Sequence, residues 1–120
     1  MDFDPRYLRG LDHFNRREYF EAHEVWEDFW IEVNDDRKGF LHGLVQAAVA
    51  LHHAGRGNVP GARSLYRRMW NNLEPYRPSF LGVDVDRFLG RMEACFAPVL
   101  GEPPGPIDPK LVPTIAITEP

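Results

Sequence analysis

The stretch from Glu18 to Val33, EYFEAHEVWEDFWIEV, has the pattern of an amphipathic helix and sets the terms for the rest of the chain. At 3.6 residues per turn, Ala22, Trp26, Phe29 and Val33 share one apolar stripe. His23, Glu27 and Trp30 lie one above the other on the stripe beside it. A column carrying an imidazole, a carboxylate and an indole therefore borders a core face.

The same period runs through the flanking segments. Asp4 caps a first helix with Pro5 in its first turn and Tyr7, Leu8, Leu11 and Phe14 at helical spacing, ending near Asn15 or Arg16. Asn15 to Glu18 is long enough only for a turn, so this helix and the next form a hairpin. Asn34, Asp35 and Asp36 end the second helix and supply a cap for the third. From Arg37 to about Ala54 the chain is apolar almost all round, which predicts the most buried helix of the bundle. Gly55, Gly57, Asn58 and Pro60 break it, and Ala62, Leu65, Tyr66, Met69 and Leu73 define a fourth helix that stops before Pro75 and Pro78. Asp84 caps a fifth, from Val85 to Phe96.

The expected fold is thus all-α: a compact bundle of five helices built from two hairpins, over residues 1 to 100. The tail, 101 to 120, holds six prolines and reads as an extended strap that lays Leu111, Val112, Ile115 and Ile117 on the bundle. A repeat supports the hairpins: Tyr19, Ala22, Trp26 and Trp30 recur forty residues on as Val59, Ala62, Tyr66 and Trp70. A small alanine followed by an aromatic one turn later is the packing logic of tetratricopeptide-like hairpins, although two units make no peptide-binding solenoid.

With 120 residues, 43% of them hydrophobic, the chain can bury a core as one domain. Its formal charge of -4, from 18 acidic and 14 basic residues, provides no electrostatic footprint for nucleic acid or an anionic membrane. No apolar run reaches the roughly 18 residues of a membrane span, and the N-terminus lacks a signal-peptide core, so the expected location is cytoplasmic. The single Cys95 sits in an apolar helical pattern and reads as a small buried hydrophobe.

The chemistry is concentrated in the polar column. His23 and Glu27, four residues apart, can place two ligands on one divalent metal ion of unspecified identity. Further ligands must come from the third helix, where His42, Gln46 and His53 share one stripe and His52 lies about 100 degrees round from His53. The candidate set is His23, Glu27, Gln46 and His53, with Trp30, Trp26 and Asn58 as pocket walls; which of His42, His52 and His53 faces the motif stays open. The pattern H-E-x-x-E lacks the second histidine of the zinc-protease motif, and the fifth helix has no acidic pair to complete a magnesium pyrophosphatase ladder from Glu21, Glu24 and Glu27. Ser64 and Ser79 have no visible base. The first functional reading is a metal-binding protein, with metal-dependent hydrolysis as its candidate activity. The alternative is a non-catalytic interaction or homodimerisation module in which His23 and Glu27 form a buried structural pair.

The ordered combination of Phe14-Asn15, Tyr19 to Glu27, Trp30, Gln46 to Ala50 and Gly57-Asn58-x-x-Gly61-Ala62 resembles a bacterial and archaeal family, domain of unknown function 309. The likeness covers roughly residues 7 to 75. It implies a small all-helical protein and a metal-binding role for the H-x-x-x-E-x-x-W motif.

Overall fold

The computed structural model describes residues 3–118; Met1, Asp2, Glu119 and Pro120, at the ends of the N-terminal stretch and the proline-rich tail, lie outside the described residues. Among the described residues there are five α-helices: α1 (Pro5–Asn15), α2 (Tyr19–Trp30), α3 (Arg37–Gly55), α4 (Val59–Leu73) and α5 (Val85–Phe96). Three start on side-chain caps. Asp4 accepts from the Arg6 amide, Asn58 from Gly61 and Asp84 from Arg87, each satisfying a donor that the helix itself leaves unpaired.

α1 and α2 form one hairpin and α3 and α4 the other, with α3 at the centre of the bundle. Its buried residues include Phe40, Leu41, Leu44, Val45, Ala47, Ala48, Ala50 and Leu51, which is why its sequence shows so little polar face. α5 closes the other side, with Phe88 edge-on to Phe14 of α1 at 5.9 Å and Phe96 stacked on Tyr66 of α4 at 4.9 Å.

The repeat extends to the hairpin turns. Arg17 and Gly57, forty residues apart, both adopt positive φ, 63° and 75°. In both turns the backbone N–H of the residue that follows, Glu18 or Asn58, donates to the carbonyl of His13 or His53 at 2.9 Å. The side chains repeat as well: His13 Nδ1 meets Glu18 at 2.9 Å, and His53 Nδ1 meets Asn58 at 3.2 Å. Ala22 and Ala62 are fully buried, and Trp26 and Tyr66 are buried beside them.

Between α4 and α5 the chain makes a small antiparallel hairpin that the proline-based reading did not anticipate, β1 (Ser79–Phe80) with β2 (Val83–Asp84). Its two-residue turn, Leu81-Gly82, has φ of 46° and 77°, the double positive φ that matches strand twist in tight hairpins. Tyr7 pins it by donating its hydroxyl hydrogen to the Leu81 carbonyl at 2.9 Å. The tail, apart from one 3₁₀ turn at Pro109–Leu111, is extended and held at Ile115. Ile115 is buried and Val112 and Ile117 are half-buried, whereas Leu111 is exposed and does not join the strap's contact face.

Arg6 ties the start of α1 to the segment after α2: it pairs with Asp4 at 3.2 Å and with Glu32 at 2.7 Å. Hydrogen bonds from Arg6 hold the Asp4 and Glu32 carboxyls below their ordinary range, and Arg37 does the same for Asp35. A carboxyl whose pKa is depressed by folding contributes stability above its unfolded pKa and loses it as pH falls through the folded value. The melting temperature is therefore expected to hold level from pH 7 to about 5 and to fall below about 4. Arg6→Gln should flatten this acid limb; an unchanged limb in the variant would show that these pairs do not set it.

Candidate metal centre at the α2–α3 seam

Helical spacing puts Tyr19, His23, Glu27 and Trp30 on the side of α2 that meets α3. His23 Nε2 lies 3.0 Å from Glu27 Oε2, with the two side chains 28% and 52% exposed. The pair is therefore not buried, and both members belong to one helix. An exposed pair four residues apart contributes only about 0.2–0.5 kcal/mol and cannot by itself dock two helices, which corrects the expectation of a buried structural contact.

Trp30 stands at the other end of the column. Lys38 Nζ sits 4.3 Å from its ring centroid and donates to the carbonyls of Trp30 and Val33, both at 3.0 Å, so it closes the C-terminal end of α2. The His42 ring packs on Trp30 at 5.2 Å. The Trp30 indole N–H is buried and has no hydrogen-bond partner among the described residues; the same holds for the Tyr19 hydroxyl, whose pKa burial pushes up to about 12.

Next to His23, Tyr19, Phe20, His23, Val49 and His52 line an open pocket of about 220 Å³. The α3 stripe that faces the motif is thus His42, Val45, Val49 and His52, at steps of three and four. In an antiparallel pair one helix rises as the other descends, so a Trp30–His42 contact brings His23 level with Val49 and Phe20 level with His52. That register rests on a tertiary contact, so His52 and Val49 are singled out only once the fold is known.

The structure does not bring the four candidate ligands together. Gln46 is 6% exposed and turns toward α4, where its Oε1 accepts from Asn72 Nδ2 at 2.6 Å. His53 belongs to the α3–α4 turn with Asn58, as the repeat counterpart of His13. Asn58 caps α4 and walls no pocket at the motif. Trp26 is fully buried core, its indole N–H donating to the Tyr7 carbonyl at 3.1 Å. Glu24 is exposed and lies outside the lining of the pocket.

As a donor set, His23 and Glu27 suit a divalent ion. Two ligands about 2.1 Å from one ion, at angles between octahedral and tetrahedral, sit roughly 3.0–3.4 Å apart. His52 adds a second imidazole on the pocket beside His23, but among the described residues no three His, Cys, Asp or Glu side chains converge on one point. No described helix is long and apolar enough to cross a membrane.

Residues 7–65, which span α1 to the first part of α4 and hold the whole seam, match the family model described as Domain of unknown function (DUF309). An uncharacterized protein from Bacillus subtilis strain 168, YpuF, is 35% identical over 98 residues, covering 78% of this chain and 56% of that protein. An uncharacterized protein from Aquifex aeolicus strain VF5 is 28% identical over 89 residues, covering 73% of this chain and 26% of its own length. The chain spans about half the length of the first relative and about a quarter of the second. With its hairpins, its H-x-x-x-E-x-x-W column and its family match in agreement, the chain belongs to the domain of unknown function 309 family.

Proposed function

We propose that this protein binds a divalent metal ion at the α2–α3 seam, with His23 and Glu27 as the α2 ligands and His52 as the α3 ligand that closes on them. The observation that carries the reading is the 3.0 Å separation of His23 Nε2 and Glu27 Oε2 beside a pocket that a second imidazole lines. At that separation one cation can reach both atoms, and a half-exposed carboxylate can re-aim at little desolvation cost. An imidazole and carboxylate donor set without thiolate suits zinc, manganese, iron or nickel. When bound, such an ion makes hydroxide available near neutral pH by lowering the pKa of a coordinated water, the chemistry a hydrolase needs. Among this chain's own residues, Trp30, His42 and Lys38 hold the far end of the column rigid, and Glu24 is not placed to act as a base.

Metal content by mass spectrometry on protein purified without a histidine tag, paired with melting curves with and without EDTA, tests the proposal. The expected result is a bound divalent ion and a melting point that falls on chelation. His23→Ala should weaken metal binding by at least about 100-fold while the chelated protein melts near the wild type, because the pair itself contributes so little. Metal retention by this variant would remove His23 from the site.

A second reading, a non-catalytic interaction or self-association module, is favoured by Phe20, which is 55% exposed beside the pocket. Light scattering separates the two: an assembly larger than one chain that Phe20→Ser dissolves, with no response to metal, would support the module.

A further inference from the structure

A second cavity, of about 310 Å³, lies between α5 and the strap, outside residues 7–65. α5 buries Phe88, Leu89, Met92, Cys95 and Phe96 and leaves Arg87 and Arg91, one turn apart, exposed on the wall of this cavity. Neither guanidinium forms an ion pair among the described residues. Two positive charges thus share a concave surface of a chain whose overall charge is negative.

The strap forms the opposite wall. Burial alternates along it, with Pro113 and Ile115 inward and Thr114, Ala116 and Thr118 outward, as in a strand. Ile115 gives its N–H and C=O to Asn15, so the backbone groups of Ala116 point to the other edge. On that edge the Thr118 N–H meets the Gly82 carbonyl at 2.8 Å, while the Ala116 N–H has no acceptor among the described residues. Among the described residues Asp84 is the one carboxylate on the lining, and its Oδ1 is engaged as the α5 cap, 3.0 Å from the Arg87 amide.

We infer that this cavity binds a small dianionic oxyanion of the phosphate-monoester class. Two guanidiniums match two negative charges and present planar donor forks to phosphoryl oxygens. The Ala116 N–H adds a neutral donor from the facing wall, with Thr114 and Thr118 lining the cavity on either side of it. The volume lies at the small end of ligand pockets and suits a phosphoryl group with a compact organic substituent. Because the strap is fixed at Ile115 and Thr118, the Ala116 donor is in place before the anion arrives.

The test is a titration of ¹⁵N-labelled protein with phenyl phosphate and with inorganic phosphate at constant ionic strength. The amides of Thr114, Ala116 and Thr118 should shift saturably, with the Ala116 amide moving downfield. Arg87→Gln with Arg91→Gln should weaken binding roughly tenfold or more, while Arg67→Gln with Arg68→Gln, an equal change of charge on exposed positions of α4, should leave it unchanged. All four arginines are exposed, and Arg91→Gln alone carries the test if the first pair fails to fold. Absence of a saturable Ala116 shift, equal weakening by both pairs, or tighter binding of benzoate than of phenyl phosphate would each overturn the assignment.

Discussion

Gly10→Ala is expected to destabilise the protein by about 2–3 kcal/mol, against the direction of helix propensity. Gly10 lies inside α1, where alanine ordinarily gains about 1 kcal/mol. A Cβ at this position would fall 2.6 Å from Cε2 of Trp26 and closer still to Nε1 and Cδ1. That ring has no room to retreat: it is fully buried, packs 5.9 Å from Phe14, and its N–H donates to the Tyr7 carbonyl at 3.1 Å. Displacement strains the core and leaves a buried donor unpaired, costs of about 1–3 kcal/mol each. The predicted melting point drop is roughly 10 °C, readable by calorimetry. Trp26→Phe in the same chain should recover part of the loss, since a smaller ring vacates the space. Ala50, the repeat counterpart of Gly10, is fully buried in the first helix of a hairpin whose matching aromatic is the smaller Tyr66. An unchanged or raised melting point for Gly10→Ala would mean that α1 and α2 can separate without cost.

Asn15→Ala is expected to release the strap. The Asn15 amide accepts from the Ile115 N–H at 2.8 Å and donates to its carbonyl at 2.9 Å, a pairing that satisfies both backbone groups of a buried residue. Losing both bonds should cost about 2 kcal/mol. Arg17, donating to the Pro109 carbonyl at 2.9 Å, would remain as the nearer tether. Limited trypsin digestion should then cut after Lys110 much faster than in the wild type, because cleavage follows the population of the open strap. Asn15→Asp keeps the acceptor and loses the donor, so it should fall between the two. Equal cleavage rates in all three proteins would show that Ile115 packing alone holds the strap.

Much of the fold was legible because local signals and tertiary packing agree. Asp4, Asn58 and Asp84 mark helix starts by a side-chain bond within three residues, and Pro5 and Pro60 sit where a missing N–H costs nothing. The repeat announced two hairpins because each needs a small alanine and a large aromatic at the same place. The β1–β2 hairpin was not legible, since strands of two residues carry no alternation and the Leu81-Gly82 turn has only one glycine for two positive φ values.

The candidate site divides in the same way. By itself the sequence determined the α2 column of His23, Glu27 and Trp30, because one helix with a clear apolar stripe fixes the phase of every other residue on it. Only the tertiary structure decided which stripe of α3 meets that column. α3 is buried nearly all round, so its sequence has no phase of its own, and adjacent residues point about 100 degrees apart. The antiparallel register set by Trp30 against His42 turned His52 to the pocket, gave Gln46 to Asn72 and left His53 in the turn with Asn58.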